Sequence, residues 1–216
     1  MQYLTVSDEI VPAIYSLNIK QRFTSVGCVL SCGDLPYYYL EFIVTMLCVP
    51  CYYVLGNHDT SEQMETGEVL TAPRGCVTLE ATSTMHEGLL IAGLGGCVRY
   101  NQEPGPQYTE LEMLLHIWRL APRLAVNHLR YGRYLDVLLT HAPPYGIHNG
   151  PDRPHRGFRA FLMFMKLFAP RYLIHGHVHR SYGIRGPWES RYRRTVVINT
   201  AGYRLLSFDP AEEIAP

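Results

Sequence analysis

The sequence predicts an α/β fold in which helices cover a parallel sheet. The chain has 216 residues, of which 47% are hydrophobic and 18% charged, so it can form one globular domain with a substantial core. Short apolar runs bounded by turn residues are typical of buried strands, and the segments between them have helical spacing. Strands that alternate with helices form a parallel sheet. The predicted strands are residues 3–6, 25–30 and 52–55, and the helices between them are residues 13–22 and 38–47.

The next part of the chain has a less regular pattern. The polar residues 60–75 predict a surface loop. The apolar runs 76–80 and 89–94 predict a hairpin that is joined near His86-Glu87-Gly88. Residues 95–107 are rich in Gly, Pro, Asn and Gln, which predicts a long loop.

A long helix leads into a second set of strands. Residues 109–131 are mainly helical in pattern, with a break or kink at Pro122, because proline lacks an amide hydrogen. No linker-like segment marks a domain boundary, so we expect one domain over residues 1–209 and a frayed tail at 210–216. The remaining predicted elements are the strand 134–140, the loop 142–156, the helix 157–168, the strand 172–175 and strands near 181–184, 195–199 and 204–208.

Composition limits the classes of function. The 19 basic and 19 acidic residues cancel, so no global charge favours nucleic acid or an anionic membrane, although local basic patches are compatible with a neutral chain. No apolar run has the length of a membrane span, and the first residues lack the pattern of a signal peptide. Cys48 and Cys51 have redox-motif spacing, but Cys51 opens a strand, which favours reduced thiols and a cytoplasmic location. The oligomeric state stays open.

Metal-binding residue types follow the predicted strands one after another. The carboxyl ends of parallel strands meet on one edge of a sheet, where loops build a ligand crevice. Carboxylate, amide and imidazole ligands without thiolate suit divalent ions such as Mn²⁺, Fe, Zn²⁺ or Mg²⁺. The candidate ligands and neighbours at these strand ends are Asp8, Asp34, Asn57, His58, His141, His177 and His179.

These residue types fit a two-metal site for phosphoryl chemistry. A carboxylate such as Asp34 can bridge two ions roughly 3.5–4 Å apart, whose shared hydroxide attacks phosphorus. His58 lies in Gly56-Asn57-His58-Asp59 and would stabilise the transition state or protonate the leaving group. Asp59 could orient that imidazole or bind a neighbouring backbone amide.

The motifs resemble those of the calcineurin-like metallophosphoesterases, and most closely a small branch related to the metallophosphoesterase-domain proteins. That family carries Asp-x-His, Gly-Asp, Gly-Asn-His-Asp/Glu, His and Gly-His-x-His in this order. The resemblance runs through essentially the whole chain and implies a four-layer α-β-β-α sandwich of two mixed β-sheets flanked by helices. The matching stretches are Ser7-Asp8-Glu9-Ile10, Cys32-Gly33-Asp34, Gly56-Asn57-His58-Asp59, Thr140-His141-Ala142-Pro143-Pro144 and His175-Gly176-His177-Val178-His179.

The resemblance also implies a role for each site residue. Asp8 and His179 would hold the first metal ion, and Asp34 would bridge the two ions. The catalytic acid would be His58. The coordination of the second ion would be completed by Asn57, His141 and His177.

One position departs from the family pattern. The histidine of the first motif is replaced by Ile10, which cannot coordinate a cation. We therefore expect the second metal site to fill first and the first site to bind weakly. Glu9 is an unfavourable substitute, because neighbouring side chains in extended backbone point to opposite sides.

Two functions stay open at this stage. The first is an enzyme that hydrolyses a phosphodiester rather than a phosphomonoester, with Mn²⁺ as the preferred ion and a small, possibly nucleotide-derived, substrate. The second is a protein- or nucleotide-binding scaffold with little activity. Ile10 favours the scaffold, whereas the retained His58 favours the enzyme. Further candidates for substrate contact are Arg99, His148, Asp152 and His155.

Overall fold

Two mixed β-sheets pack face to face, and helices cover both outer surfaces. The computed structural model describes residues 1–63, 67–179 and 188–208. The helices are α1 (Ile19–Arg22), α2 (Tyr37–Leu47), α3 (Glu110–Tyr131) and α4 (Arg159–Phe168), with a short 3₁₀ turn at Pro154–Arg156. The strands are β1 (Gln2–Ser7), β2 (Val26–Ser31), β3 (Cys51–Tyr53), β4 (Glu62–Gln63), β5 (Val69–Leu70), β6 (Cys76–Thr78), β7 (Thr82–His86), β8 (Leu89–Leu94), β9 (Cys97–Val98), β10 (Gln107–Tyr108), β11 (Val137–Thr140), β12 (Tyr172–His175), β13 (Glu189–Tyr192), β14 (Thr195–Asn199) and β15 (Gly202–Ser207).

Each large sheet has a parallel centre and an antiparallel edge. The first sheet has the order β15-β1-β2-β3-β6, and the second has the order β13-β14-β12-β11-β8-β7. Strand β15 is antiparallel to β1, while β1, β2, β3 and β6 run parallel. In the second sheet β8, β11, β12 and β14 run parallel, and β7 and β13 close the edges antiparallel. The carboxyl ends of the central strands therefore lie on one edge of each sheet.

The alternation of side chains along each strand produces the four layers. Tyr3 of β1 and Ile91 of β8 belong to the core between the two sheets. Their neighbours point outwards: Leu4 packs with residues of α1 and α2, and Leu90 packs with residues of α3 and α4. Because successive strand side chains point to opposite faces, one strand contributes to two cores. This arrangement confirms the four-layer α-β-β-α sandwich.

Helix α3 begins at a well-formed cap and passes through a proline. The Thr109 side chain accepts a hydrogen bond from the Glu112 amide, and the Glu112 carboxylate accepts one from the Thr109 amide. The helix continues through Pro122, so a break there is wrong, whereas the alternative of a kink stays a prediction. Pro122 lies on the exposed side of the helix, where the carbonyl that loses its partner can bond to water.

Two other predicted elements are also wrong. Within residues 13–22 only Ile19–Arg22 is helical, because tight turns bring Ile14 and Ile19 into the core without a continuous helix. The predicted hairpin has a different first strand: residues 76–78 pair parallel with β3 in the first sheet, and β7 pairs with β8. The turn at Glu87-Gly88 is at the predicted place, since both residues have the positive φ that such a turn requires.

The loops contain more regular structure than predicted. Residues 60–75 hold the small β4–β5 pair, and residues 95–107 hold β9 and the first residue of β10. The strand expected at 181–184 lies outside the described residues, whereas β13 at Glu189–Tyr192 was not predicted. No helix in the described part of the chain is both long and apolar enough to cross a bilayer.

Candidate metal centre

A cavity of about 360 Å³ opens where the carboxyl ends of both sheets meet. Residues that follow β1, β2 and β3 enter it from one sheet, and residues that follow β12 enter it from the other. The sheets thus bring together side chains that are far apart in the sequence. The residues that line the cavity are Asp8, Asp34, Asn57, His58, Tyr100, Pro154, His155, His177 and His179.

His141, which follows β11, lies fully buried against this cavity. Its Nδ1 lies 2.7 Å from the Cys32 carbonyl oxygen, which can only accept, so Nδ1 donates its proton there. In the neutral ring Nε2 then carries a lone pair. That atom lies 3.0 Å from Asn57 Oδ1 and 3.2 Å from Asp34 Oδ2. Three acceptor atoms therefore converge on one point, and a cation between them resolves the conflict.

His177 adds a fourth ligand to the same point. Its Nε2 donates to the Pro154 carbonyl oxygen at 3.1 Å, which leaves Nδ1 unprotonated in the neutral ring. Ligand atoms of Asp34, His141 and His177 all lie within 4.8 Å of one another. Bonds of about 2.1 Å at right angles would separate cis ligand atoms by about 3 Å, which fits the spacing around His141. The donor set therefore suits a divalent ion.

A second group of ligands, centred on Asp8, is less complete. His179 Nε2 lies 3.5 Å from Asp8 Oδ1, and both Asp8 oxygens accept from the His177 amide. Ile10 is 40% exposed and offers no donor. Glu9 approaches from the other side, with Oε1 3.3 Å from His179 Nδ1.

The backbone between Asp8 and Glu9 is not extended, contrary to the expectation on which Glu9 was judged an unfavourable replacement ligand. Asp8 has φ of +67°, so the chain turns sharply between Asp8 and Glu9. Glu9 does not line the metal cavity, but its carboxylate contacts the imidazole that does. It is placed to orient His179 rather than to replace the missing ligand.

Two glycines let the ligand loops approach one another closely. A Cβ on Gly56 would collide with the Asp34 carboxylate. A Cβ on Gly176 would collide with Ser7 and with the Asp8 carboxylate. These glycines are required because ligands from separate strands share a space with no room for another side chain.

Two carboxylates fasten the loops behind the ligands. Asp59 Oδ2 accepts from the amides of Asp34 and Gly56, at 2.9 and 2.8 Å. Glu80 accepts from the Leu55 amide at 2.7 Å and from the Gly95 amide at 3.1 Å. Asp59 therefore binds backbone, the second of the two roles considered for it. Glu80, which follows the buried Leu79 just after β6, was not predicted from the sequence.

The calcineurin-like phosphoesterase family matches residues 25–181 of this chain. The chain belongs to this family. The match covers well over half of the chain and includes Asp34, Asn57, His141 and His177. Membership of this family agrees with the ligand atoms at the site, which suit a divalent ion.

Comparison of structures supports the fold alone. TT1561 of Thermus thermophilus superposes with a TM-score of 0.63 at 18% identity, covering 95% of this chain and 93% of that one. Another crystal structure gives a TM-score of 0.62 at 14% identity, covering 96% and 99% of the two chains. A single mutant of Vps29 from Entamoeba histolytica gives 0.47 at 14% identity, covering 98% and 88%. No curated protein sequence matches the chain significantly.

The electrostatics of this phosphoesterase site favour a positive charge beside Asp34. Burial alone would lower the pKa of His141, but the carboxylates of Asp34 and Asp8 outweigh it and raise the pKa to about 9. Burial would likewise raise the pKa of Asp34, but His141 and the His58 amide hold it well below its usual value. Burial raises the pKa of Asp8. A cation would relieve the repulsion between these two carboxylates.

The outer part of the cavity carries three groups that face solvent or substrate. His58 is exposed, and its amide donates to Asp34 Oδ1 at 2.8 Å. The centroid of the His155 ring lies 4.7 Å from that of the His177 ring, and His155 Nδ1 lies 2.7 Å from Asp152 Oδ2. Tyr100 was not predicted from the sequence; it lines the cavity from the loop that precedes β10.

Two predicted substrate contacts lie elsewhere. Arg99 forms an ion pair with Glu112 at 3.0 Å, and it does not line the cavity. His148 lies behind the site, where Nδ1 is 3.0 Å from His175 Nε2 and Nε2 is 2.8 Å from Ser190 Oγ. Both residues are occupied by structural contacts.

Proposed function

We propose that this chain is a metal-dependent phosphodiesterase. The observation that carries the proposal is the convergence of Asp34, Asn57, His141 and His177: His141 Nε2 lies 3.0–3.2 Å from the Asn57 and Asp34 oxygens, and ligand atoms of Asp34, His141 and His177 lie within 4.8 Å of one another. The family supports phosphoester hydrolysis in general. The preference for a diester and the choice of Mn²⁺ are parts of this proposal.

The charge of the cavity supports a role for cations. Among the described residues that line it, two are carboxylates and none is lysine or arginine. Such a cavity repels a phosphate anion unless cations are bound. A diester carries one negative charge and a monoester up to two, so a site with one tight and one weak cation favours the diester.

The bound ions and the residues around them would have separate roles in hydrolysis. Bound divalent ions lower the pKa of a water and withdraw charge from phosphoryl oxygens. His58 projects into the open part of the cavity, where it can donate a proton or hydrogen bond to the leaving oxygen. Asp59 and Glu80 hold the loop that carries Asn57 and His58 in place.

The two metal sites are expected to differ in affinity. Asp34, Asn57, His141 and His177 give the second site four protein ligands, whereas Ile10 leaves the first site short of one. The second site would therefore bind more tightly. A small, nucleotide-derived phosphodiester in the cytoplasm is the substrate we favour, and six unpaired thiols are compatible with that reducing compartment.

A scaffold with little activity is the second candidate. The observation that favours it is Ile10, which cannot coordinate and leaves its apolar side chain partly exposed beside the site. The intact Gly56-Asn57-His58-Asp59 segment, with its network of hydrogen bonds, favours the enzyme instead.

Hydrolysis of bis(p-nitrophenyl) phosphate with added Mn²⁺ separates the two candidates. We expect turnover that falls about 10²–10⁴-fold in His58→Ala, while Mn²⁺ affinity is nearly unchanged. His128→Ala is the matched control, because this exposed histidine lies on α3 outside the cavity. No turnover in the wild type, or equal turnover in His58→Ala, would favour the scaffold.

A further inference from the structure

Helix α3 carries apolar residues on two opposite faces. The inner face contributes Met113, Ile117, Leu120 and Leu124 to the core that it shares with α4. That face fixes the helix firmly on the second sheet. The outer face needs a separate explanation, because surface helices of globular proteins are usually polar there.

The outer face forms a continuous apolar stripe. Leu111, Trp118 and Leu129 are 67%, 66% and 86% exposed, and Leu115 and Val126 are also largely exposed. With the exposed Pro122 between Trp118 and Val126, they recur every three or four positions, so they lie in one line along the helix. At roughly 100 Å² for each large side chain, the stripe reaches the roughly 300–600 Å² of the largest apolar patch on a typical monomer.

Arginines border this stripe on one side. Successive residues are about 100° apart around a helix, which places Arg119, Arg123 and Arg130 about 65–105° from the centre of the stripe. All three are exposed, and none forms an ion pair with any described residue. No acidic residue follows Glu112 in the helix.

The two acidic residues of α3 lie at its beginning and are already used. Glu110 accepts hydrogen bonds from the Arg159 and Ala160 amides at the start of α4. Glu112 forms the capping box and the ion pair with Arg99. The outer face of α3 beyond them is therefore apolar and positively charged, although the whole chain has no net charge.

We propose that this face of α3 docks onto an anionic lipid surface. An apolar stripe with a tryptophan, bordered by arginines, is the pattern of helices that lie in the plane of a membrane interface. The apolar side chains would enter the headgroup region, and the arginines would contact lipid phosphates. The zero net charge of the whole chain does not bear on this patch, which is local.

A second copy of the chain is a less suitable partner for the same face. An antiparallel copy that matched stripe to stripe would bring both copies of Arg119 and Arg123 together near the symmetry axis. Four arginines would then face one another without carboxylates. An anionic lipid surface supplies the opposite charge instead.

Binding of the full chain to vesicles tests the proposal. The chain has two tryptophans, so Trp188→Phe leaves Trp118 as the only tryptophan reporter. With equimolar phosphatidylcholine and phosphatidylglycerol vesicles, we expect cosedimentation and a blue shift of Trp118 emission. Pure phosphatidylcholine vesicles should bind much less, and added salt should weaken the binding.

Paired variants separate the two parts of the face. Trp118→Ser should lower vesicle partitioning at least about tenfold, while Leu17→Ser, at an 82% exposed leucine elsewhere, should not. Arg123→Gln should lower it about fivefold, and Arg22→Gln, on α1, should have little effect. Phosphodiesterase activity in solution should stay unchanged in all four.

Three results would overturn the proposal. The first is the absence of binding to anionic vesicles. The second is binding that Trp118→Ser leaves unchanged. The third is a dimer, seen by sedimentation without vesicles, that Trp118→Ser converts to monomer; that result would assign the face to a second copy.

Discussion

A buried polar residue lies at each end of strand β11, and the two residues differ in the charge partners that the protein supplies. Asp136, directly before the strand, is fully buried, and its oxygens accept from Arg133 Nε at 2.9 and 3.1 Å and from the Leu90 amide at 2.8 Å. His141, directly after the strand, faces the acceptor atoms of Asp34 and Asn57. One end is neutralised by the permanently charged Arg133, whereas the other end has only the titratable His141 imidazole, whose proton a metal ion can replace.

The difference separates structural from functional burial of charge. A buried carboxylate is stable when the protein supplies its cation and hydrogen bonds, as at Asp136. Where several acceptors converge without a lysine or arginine, the fold tolerates repulsion that a ligand relieves. A buried charge alone does not identify a site; converging carboxylates without a lysine or arginine do.

The largest effect is expected when the charge of Asp34 is removed. Asp34→Asn keeps a carbonyl oxygen for the His58 amide but loses the carboxylate beside His141. Turnover of an aryl phosphodiester should fall at least about 10³-fold. The metal-free variant should melt somewhat below metal-free wild type, since it loses the ion pair with His141 that holds the pKa of Asp34 low, while relief of the repulsion with Asp8 and Asp59 offsets part of that loss. A loss of stability as large as that in Asp136→Asn would contradict the comparison.

The matching change at the other end should reverse this pattern. Asp136→Asn leaves Arg133 without its carboxylate and should lower the free energy of unfolding by about 2–4 kcal/mol. Activity per folded molecule should stay close to wild type. Urea unfolding and an active-fraction assay check both parts, and a stable but inactive variant would be inconsistent with a structural role.

Glu9→Gln probes the incomplete first site. Because Glu9 contacts His179 Nδ1, its loss should weaken the first metal site about tenfold and leave the second site unchanged. Glu41→Gln is a suitable control, since Glu41 lies on α2 and accepts from the Arg74 amide. Equal affinity of the first site in Glu9→Gln and wild type would exclude the orienting role.

His148 offers a smaller, pH-dependent test. Burial, and then the nearby Arg204, lower the pKa of His148 from 6.5 to about 4. The unfolded chain therefore binds a proton at a higher pH than the folded chain, so stability is full above pH 6.5 and falls as the pH decreases. After discounting for partial exposure, we expect a loss of about 1 kcal/mol between pH 6.5 and about pH 5. His148→Gln should reduce this slope, and an unchanged slope would assign it to other groups.

The sequence predicts the edge of the sheets that carries the site better than it predicts the local contacts. Strand-end positions and motif order indicate Asp34, Asn57, His141 and His177, because the ends of parallel strands meet on one edge. The structure differs from the predictions where tertiary contacts determine the local conformation. The positive φ of Asp8 redirects Glu9, for example, and no single-sequence pattern encodes it.

Elements beside the site were also mispredicted, because contacts distant in the sequence determine them. Residues 76–78 have the alternation of a hairpin strand, yet they pair with β3 in the other sheet, because pairing partners are not local. Arg99 has the chemistry to bind phosphate, but Glu112 from a neighbouring element pairs with it. Glu80 and Tyr100 belong to no motif and are recognised by their contacts alone.

Calorimetric titration of Mn²⁺ into chelator-treated protein tests the central claim most directly. The account predicts one tight site and one weaker site in the wild type and in a folded Asp136→Asn sample, and loss of the tight site in His141→Ala. Absence of Mn²⁺ binding, or tight binding that His141→Ala leaves intact, would contradict it.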